Sequence, residues 1–297
     1  MITGANGFLS QYVIKALLQQ TSYTILALGK GASRLVFPES DKLKYISADI
    51  TDGVAINNFL CNEKPGVIVH IAAKAQPDFC EEHKAECWDA NVTATRFLLD
   101  ASKTFNPHFI FCSTDFVFNG EKGFYSETDE PDAVSYYGSS KIAAEKAVAE
   151  SKLNTAIVRT CLCYGIPLQA NGRNFLKWVL ENLKSGNVIQ VFNDQHRTPT
   201  FAEDFAEGIL KVIETRATGI YHIAGDEEWT PFKMALAVAD KFGLDKKLIE
   251  EIDETKMVHI AKRPAKTGLN IAKAKSDLAY QPHSFIAALE KIAKSIH

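Results

Sequence analysis

The stretch that decides the fold reads HFIFCSTDFVF at residues 108–118 and YGSSK at residues 137–141. Its opening apolar run is typical of a strand buried in a parallel sheet. Such a strand would deliver the hydroxyls of Ser113 and Thr114 at its carboxyl end, the edge where open α/β sheets bind ligands. We therefore predict an α/β fold with a functional site at the end of this strand.

Tyr137 and Lys141 form the second half of this pattern. If residues 137 to about 152 are helical, the two side chains are neighbours on one helix face. An ammonium about 4 Å from a phenol contributes on the order of 4 kcal/mol at an effective dielectric near 20, which could bring a phenol pKa of about 10 near 7. The pair could then act in acid–base catalysis. Many helices carry this spacing by chance, so the pair needs support from the rest of the chain.

Composition narrows the class of protein. With 297 residues, of which 46% are hydrophobic and 23% are charged, the chain can build one large core or two lobes. The formal net charge of -3, with Lys and Arg spread along the chain, argues against nucleic acid as a partner. No apolar stretch approaches the roughly 20 residues of a membrane span and no leader pattern begins the chain, so we expect no membrane association and a cytoplasmic location.

The cysteines and histidines predict neither disulfides nor a metal site. The six cysteines make no Cys-x-x-Cys pair, and the eight histidines make no His-x-x-x-His pattern. We therefore expect free thiols in a reducing compartment and no bound metal.

A second pattern, at the start of the chain, predicts a dinucleotide site. TGANGFLS at residues 3–10 is a glycine-rich turn entering a helix, and it matches Gly-x-x-Gly-x-x-Gly except for Ser10 at the last position. Glycines let the backbone approach a pyrophosphate, which rests on the helix N-terminus and its unpaired amides. Only Met1 and Ile2 precede the turn, so we expect either a chain that begins earlier or a first strand reduced to a stub. The candidate cofactor residues here are Gly4, Asn6, Gly7, Phe8 and Leu9.

The ends of the next three predicted strands supply further cofactor candidates. The first of these strand ends carries the cations Lys30 and Arg34 and no acidic residue. This favours the 2′-phosphate of NADP, with NAD as the alternative. The second carries a carboxylate suited to an adenine edge. The third closes in two alanines, where the backbone can press against the cofactor. In chain order these candidates are Lys30, Arg34, Asp49, Ile50, Ala72 and Ala73.

Strands and helices alternate along the chain, which indicates repeated right-handed βαβ units. Together with the glycine turn, this alternation predicts a Rossmann doubly wound parallel sheet. Beyond residue 164 the pattern changes without a linker or a repeat, so a smaller α/β substrate lobe should interleave with the first. We divide the chain into an NAD(P)-binding domain at 1–164, with 197–224 returning to it, and a substrate-binding lobe at 165–196 and 225–297.

One helix is expected from about Cys80 to Lys103, with an apolar face at helical spacing. Asn91 is a polar residue in an otherwise core-facing part of this helix. It either caps a helix or faces solvent, or it takes part in a proton relay.

Taken together, these motifs resemble the extended short-chain dehydrogenase/reductases, and more narrowly the dTDP-4-dehydrorhamnose reductase group, over essentially the whole chain. The resemblance implies Thr114, Tyr137 and Lys141 as the catalytic trio and a nicotinamide cofactor in the first domain, contacted also by Tyr137 and Lys141. It implies a nucleotide-sugar substrate between the lobes and a place in rhamnose biosynthesis, and it allows for a homodimer. The implied substrate residues are Asn174, Gln195 and Arg263. The motifs that carry the resemblance are TGANG at 3–7, AA at 72–73, STDFVFNG at 113–120, Tyr137 with Lys141, VRT at 158–160, NDQ at 193–195, TPT at 198–200 and RP at 263–264.

The implied reaction is NAD(P)H-dependent reduction of a nucleotide-linked 4-keto-deoxysugar. The nicotinamide would deliver hydride to the C4 carbon of the sugar. Tyr137 would protonate the resulting oxyanion, and Thr114 would hydrogen-bond that oxygen as charge develops. Lys141 would hold the nicotinamide ribose and lower the pKa of the phenol.

The chain departs from the family pattern at positions toward the sugar pocket. Phe116 stands where these reductases carry a tyrosine, Cys161-Leu162 where they carry Ser-Trp, and Lys74 where they carry another tyrosine. A related 4-keto sugar nucleotide is therefore a safer expectation than dTDP-4-keto-rhamnose itself. Lys74, Asp115 and Phe116 join the candidate substrate residues.

Three alternative functions stay open. A sugar-nucleotide 4,6-dehydratase would need a glutamate after Asp115, and Phe116 at that position argues against elimination. A 4-epimerase would keep the trio with tightly bound NAD, whereas the cation at Lys30 favours the reductase. A non-catalytic regulatory subunit, like that of methionine adenosyltransferase, would bind a dinucleotide and a protein partner, and partner binding would distinguish it.

Overall fold

The computed structural model describes residues 1–169, 172, 174–256 and 260–296. Parallel strands of this part of the chain form one large sheet and one small sheet, with helices packed around both. The strands are β1 (Ile2–Thr3), β2 (Ile25–Gly29), β3 (Leu43–Ser47), β4 (Val67–His70), β5 (His108–Thr114), β6 (Asn154–Thr160), β7 (Ile189–Phe192), β8 (Gly219–His222) and β9 (Ile249–Ile252). The helices are α1 (Phe8–Gln20), α2 (Gly53–Glu63), α3 (Pro77–Glu82), α4 (Lys84–Trp88), α5 (Ala94–Ser102), α6 (Tyr136–Glu150), α7 (Phe175–Lys184), α8 (Ala202–Thr215), α9 (Pro231–Lys241), α10 (Ala272–Leu278) and α11 (Phe285–Ile296).

The large sheet has seven strands in the order β3-β2-β1-β4-β5-β6-β8. The chain runs outward from β1 to β3 and then returns to place β4 on the other side of β1, which is the reversal that creates a ligand crevice at the carboxyl ends of the strands. The predicted doubly wound α/β fold is confirmed. Strand β1 has two residues, and Ile2 pairs with Ala27 on one side and Val69 on the other.

The side chains of β5 show how the sheet is covered on both faces. Ile110 and Cys112 belong to a core shared with α1 and α8, whereas Phe109 and Phe111 belong to a core shared with α2, α5 and α6. Every residue of β5 is buried, as the apolar run predicts for a strand inside a parallel sheet.

The small sheet pairs β7 with β9 and lies with α7, α9 and α11 around a separate core. Strand β8 belongs to the large sheet, and α10 contacts both α8 and β8. The chain thus passes between the two units several times. The residue boundaries of the two domains stay a prediction.

The single helix expected between Cys80 and Lys103 is wrong in detail. The chain forms α3 and α4, then a π-helical turn at Asp89–Thr93, and then α5. His83, with φ of −123° and ψ of 59°, breaks the first helix. The π-helical turn carries Asn91, whose buried side chain forms the hydrogen bonds described below.

No helix in the described part of the chain combines the length and apolarity that crossing a bilayer requires.

Candidate active site

Thr114 and Tyr137 are brought together by close packing of α6 against the end of β5. Ser135 caps α6, since its hydroxyl accepts a hydrogen bond from the Gly138 amide at 3.2 Å. A Cβ on Gly138 would collide with the carbonyl oxygen of Phe116. Tyr137 is buried against Phe116, with ring centroids 6.0 Å apart, and its phenol is within hydrogen-bonding reach of the Thr114 hydroxyl. The glycine after Tyr137 therefore has a packing role that the sequence did not reveal.

Lys141 is fixed at the same strand end. Its Nζ donates to the carbonyl oxygen of Cys112 at 2.7 Å and lies 4.0 Å from the centroid of the Phe111 ring. Burial lowers the pKa of Lys141 from 10.5 to about 8, and the thiol of Cys112 and the carboxylate of Glu145 oppose part of that fall. The structure thus brings the three predicted catalytic side chains to one place, where they lie beneath the protein surface.

The prediction that Lys141 lowers the phenol pKa to about 7 is wrong for this structure. Burial raises the pKa of Tyr137 above its ordinary value, and the hydrogen bond with Thr114 offsets only part of the rise. Lys141 directs its ammonium at the Cys112 carbonyl oxygen. Tyr137 therefore keeps its proton at neutral pH, which is the state that a proton donor needs.

Asp115 was predicted to contact substrate, and the structure places its carboxylate inside the protein. Oδ1 accepts a hydrogen bond from the Thr114 hydroxyl at 3.1 Å, and Oδ2 accepts from the Cys161 thiol at 3.2 Å and from the Thr267 hydroxyl. The guanidinium Nε of Arg197 lies 3.9 Å from Oδ2. These contacts give Asp115 a structural role beneath the trio, and a substrate contact stays a prediction.

A groove of about 670 Å³ runs along the carboxyl ends of β1, β2 and β4. Its volume falls in the range of small-molecule and cofactor sites. The candidate substrate residue Lys74 also lies in its wall. The cofactor candidates from the sequence that line the groove are Gly4, Asn6, Gly7, Phe8, Leu9, Lys30, Arg34, Asp49, Ile50, Ala72 and Ala73.

The glycine turn fits the floor of this groove for a steric reason. Gly4 has φ of +69°, and a Cβ there would lie 2.9 Å from the Cα of Ala72. Only glycine adopts this conformation without strain while leaving room for the neighbouring strand. Gly7 is the N-cap of α1 and brings no side chain to cap it, so the first-turn amides can meet an anion. The residues present therefore fit a dinucleotide pyrophosphate.

The loop after β2 is held by Asn6, one of the predicted cofactor residues, and by Gln11, which the sequence did not single out. The Asn6 Nδ2 donates to the Ala32 carbonyl oxygen at 3.0 Å and to the Tyr45 hydroxyl at 2.9 Å, and its Oδ1 accepts from the Arg34 amide at 2.8 Å. Gln11 Nε2 donates to the Arg34 carbonyl oxygen at 3.0 Å. Asn6 thus shapes the loop that carries the two predicted cations.

Lys30 and Asp49, which were assigned separate roles, lie in contact. Lys30 Nζ is 2.6 Å from Asp49 Oδ2, and this hydrogen bond holds the pKa of Asp49 at about 2 and raises that of Lys30. The Lys30 side chain is 80% exposed, so it can turn toward a phosphate at the rim of the groove. Cations at this strand end fit a 2′-phosphate.

Asn91 neither caps a helix nor faces solvent, so that interpretation is wrong. It is 1% exposed; its Oδ1 accepts from the Lys74 amide at 2.8 Å, and its Nδ2 donates to the Lys74 carbonyl oxygen at 3.1 Å and to the Ser140 hydroxyl at 2.9 Å. Asn91 therefore joins the wall of the groove to α6. The Lys74 side chain points outward, with Nζ 3.7 Å from Glu86 and 4.5 Å from the Phe79 ring centroid. A proton relay through Asn91 stays a prediction.

Asn174 serves the N-terminus of α7. Its Oδ1 accepts a hydrogen bond from the Lys177 amide at 3.0 Å, and its Nδ2 donates to the Gly165 carbonyl oxygen at 2.7 Å. The side chain therefore has a capping role, and its predicted contact with the sugar nucleotide is not tested by these bonds.

Gln195 and Arg263 lie near one another through the segment around Arg197. Arg197 Nη2 is 3.4 Å from Gln195 Oε1 and donates to the carbonyl oxygen of Pro264 at 2.7 Å. Arg263 itself is paired with Asp78 of α3. Arg197 thus links the segments that carry Gln195 and Arg263, and the contacts of both residues with substrate stay predictions.

His70, at the end of β4, is a buried residue that sequence reasoning missed. Its two ring nitrogens lie 2.7 Å from the Thr3 hydroxyl and 3.0 Å from the Thr95 hydroxyl. Burial, with Lys141 nearby, lowers the pKa of His70 to about 3, so the ring is neutral near pH 7. Its place at a strand end, two residues before the pair of alanines, is the signal that could have identified it.

The six cysteines are free thiols, as predicted. Cys61 is exposed, Cys163 is half-buried and the other four are buried. Burial raises the pKa of Cys112 and Cys163 to about 12 and also raises those of Cys80 and Cys161.

Comparisons by sequence and by structure both find known proteins that are similar to this chain. The family model of the RmlD substrate binding domain matches residues 1–297. A dTDP-4-dehydrorhamnose reductase from Aggregatibacter actinomycetemcomitans is 30% identical over 304 residues, covering 98% of this chain and 97% of that protein. The methionine adenosyltransferase 2 subunit beta of Bos taurus is 31% identical over 282 residues, covering 92% of this chain and 80% of that protein. The structure of a dTDP-4-dehydrorhamnose reductase from Bacillus anthracis in complex with NADP has a TM-score of 0.86 at 24% identity, covering 99% of this chain and 98% of that one.

Proposed function

The chain belongs to the family of the RmlD substrate binding domain, and from that membership we propose that it is an NADP-dependent oxidoreductase that reduces a keto group of a sugar nucleotide. The observation that carries the proposal is the buried trio of Thr114, Tyr137 and Lys141 at the end of β5. Asn91 links this trio to the dinucleotide groove through its bonds to Ser140 and Lys74. A reductase needs a proton donor beside its hydride donor, and this arrangement supplies the place for both.

The groove supports NADP as the cofactor. Gly4 and the open first turn of α1 suit the pyrophosphate, and Lys30 and Arg34 stand at the rim where a 2′-phosphate would lie. When bound, the nicotinamide supplies the hydride for the reduction. The Bacillus anthracis reductase, which shares this fold, was solved with NADP.

The finer mechanism rests on the trio. Tyr137 holds a proton at neutral pH and would donate it to the carbonyl oxygen at C4 of a deoxysugar. Thr114 would turn its hydroxyl from Asp115 to that oxygen as negative charge develops. Lys141 would bind the nicotinamide ribose from its position at the Cys112 carbonyl oxygen.

The substrate is proposed to be a nucleotide-linked 4-keto-deoxysugar. The relative from Aggregatibacter actinomycetemcomitans is a dTDP-4-dehydrorhamnose reductase. Phe116, which lies against Tyr137, and Lys74, at the groove wall, replace residues usual in that group, so a related 4-keto sugar is a better first candidate than dTDP-4-dehydrorhamnose. Lys74, Phe116, Asn174, Gln195 and Arg263 are the residues proposed to face it. A homodimer stays a prediction.

The test is NADPH oxidation, followed by absorbance, with a panel of 4-keto sugar nucleotides that includes the dTDP-rhamnose precursor. We expect turnover with at least one member and its loss in Tyr137→Phe. Tyr136→Phe is the matched control, because Tyr136 is the adjacent tyrosine of α6 and has no proposed role. Full turnover by Tyr137→Phe would refute the assigned proton donor.

A second candidate function is favoured by one observation. The methionine adenosyltransferase 2 subunit beta of Bos taurus is as similar to this chain as the reductase is. On this reading the fold would bind NADPH without oxidising it and would act on a protein partner. NADPH binding without oxidation across the panel, together with altered kinetics of a methionine adenosyltransferase when this protein is added, would favour it over the reductase.

A further inference from the structure

Arg263 is held on α3 by a two-pronged ion pair. Its Nη1 donates to Asp78 Oδ1 at 2.6 Å, and its Nη2 donates to Asp78 Oδ2 at 2.7 Å. Asp78 Oδ1 also accepts a hydrogen bond from the Ala261 amide at 2.9 Å, and Arg263 Nη1 donates one to the Ala261 carbonyl oxygen at 2.6 Å. Together these four hydrogen bonds fix both the carboxylate and the plane of the guanidinium.

The pair joins two segments that are each anchored to the walls of the trio. On one side α3 buries Cys80 against Tyr137. On the other side, the segment that follows Arg263 reaches Asp115, next to Thr114, through the Thr267 hydroxyl. Arg263 therefore lies at the contact between the second unit of the chain and the elements that surround the trio.

The geometry leaves one edge of the guanidinium available. Both Nη1 hydrogens and one Nη2 hydrogen are donated, to the Asp78 carboxylate and to the Ala261 carbonyl oxygen. Among the described residues, Arg263 Nε has no hydrogen-bond partner, so the edge formed by Nε and the second Nη2 hydrogen remains for a ligand. Such an edge binds a phosphate with two parallel hydrogen bonds.

We propose that Asp78 is a positioning residue, which sets the Arg263 guanidinium so that its free edge meets the diphosphate of the sugar nucleotide. The inference rests on the proposed function. Asp78 does not itself contact the substrate in this scheme. The Asp78 carboxylate is 40% exposed and the Arg263 side chain is 16% exposed, and the two parallel hydrogen bonds between them fix the orientation of the guanidinium.

The first experiment compares Asp78→Asn with the wild type in the NADPH oxidation assay. The amide keeps the shape of the carboxylate but loses its charge and one of the two acceptors facing Arg263. We expect KM for the sugar nucleotide to rise about tenfold, with kcat and the NADPH Kd within about twofold. Asp78→Glu, which keeps a two-oxygen acceptor, should recover part of the loss.

A second measurement is independent of turnover. Titration calorimetry with thymidine diphosphate or uridine diphosphate should show binding to the wild type and about tenfold weaker binding to Asp78→Asn. Arg263→Lys, whose ammonium cannot form two parallel hydrogen bonds to a phosphate, should show a similar loss of diphosphate affinity. The double variant of Asp78→Asn and Arg263→Lys should bind no more weakly than Arg263→Lys alone, because Asp78 acts through Arg263. Asp100→Asn is the control, since Asp100 pairs with exposed Lys103 on α5.

The possible results separate the two hypotheses. An unchanged or lower KM in Asp78→Asn, or losses that add in the double variant, would overturn the positioning role while the reductase assignment stands. A wild-type protein that neither binds these diphosphates nor oxidises NADPH with the panel would remove both.

Discussion

At the residue scale, residue spacing predicted the positions of the three side chains of the trio but not their protonation. The sequence placed Tyr137 and Lys141 on one helix face next to Thr114, and the structure has them there. Their protonation could not be predicted from spacing, because it depends on how deeply the surrounding strands bury them. Burial raises the pKa of Tyr137 and lowers that of Lys141, so the opposite of the expected phenol shift is found.

The lowered pKa of Lys141 predicts a pH-dependent stability. The folded state releases this proton near pH 8 and the unfolded state near pH 10.5, so between these values the unfolded chain binds more protons. The free energy of unfolding that Lys141 contributes should therefore rise across this window and be lost as the pH falls through 8. Relative to Lys141→Met, the wild type should gain about 3 kcal/mol between pH 7.5 and 10.5.

Urea unfolding followed by circular dichroism at several pH values measures this difference. Lys146→Met, at an exposed position of the same helix, controls for replacing a lysine in α6. Stability curves of Lys141→Met and wild type that run parallel across the window would contradict the buried, proton-releasing state of Lys141.

At the element scale, apolar runs predicted the strands well because a strand buried on both faces has few alternatives. The single helix expected across residues 80–103 is interrupted at His83, whose φ of −123° and ψ of 59° leave the helical region, and it contains a π-helical turn at Asn91. The glycine turn was identified as a phosphate loop from its pattern. The reason that Gly4 is required, its closeness to Ala72 just beyond the end of β4, needed the fold.

Gly4, in the glycine turn, and Gly31, in the loop after β2, give a matched pair of substitutions. Both have positive φ, +69° and +76°, but a Cβ meets Ala72 at Gly4 and nothing within 4 Å at Gly31. Gly31→Ala should cost about 1 kcal/mol from backbone strain alone. Gly4→Ala should cost more, because Ala72 must also move, and should weaken NADPH binding by more than about tenfold.

Urea unfolding and calorimetric titration with NADPH measure both effects. Equal losses of stability and equal NADPH affinities in the two alanine variants would show that the approach of Gly4 to Ala72 has no part in the cofactor site.

At the scale of the whole molecule, the alternation of strands and helices predicted one doubly wound sheet and an interleaved second unit. The pairing of β7 with β9 was beyond sequence patterns, because the two strands are distant in the chain and short. The same is true of the contacts of Asp115, which tie the end of β5 to Thr267 and face Arg197, while its contact with substrate stays a prediction. Long-range contacts of this kind leave no local signal.

Asp115→Asn tests this tie between the two units. The amide cannot accept from Thr114, Cys161 and Thr267 as the carboxylate does, and it leaves the nearby Arg197 without its counter-charge. We expect a loss of roughly 2–4 kcal/mol in the free energy of unfolding. The NADPH Kd should stay unchanged, since Asp115 does not line the groove.

Chemical unfolding and NADPH titration decide the point. Wild-type stability together with a raised KM for the sugar nucleotide would instead return Asp115 to the role of substrate ligand that its sequence position indicated.

The distribution of thiols makes the molecule convenient to label. Cys61, near the C-terminal end of α2, is the exposed one of the six cysteines. Thr51, two residues before α2, borders the dinucleotide groove, and the eight helical steps from Gly53 to Cys61 carry Cys61 about 12 Å along α2 from the end nearest the groove. A maleimide fluorophore or spin probe should therefore attach at one site of the unaltered sequence. It would report on distances to a bound ligand without sitting in its path.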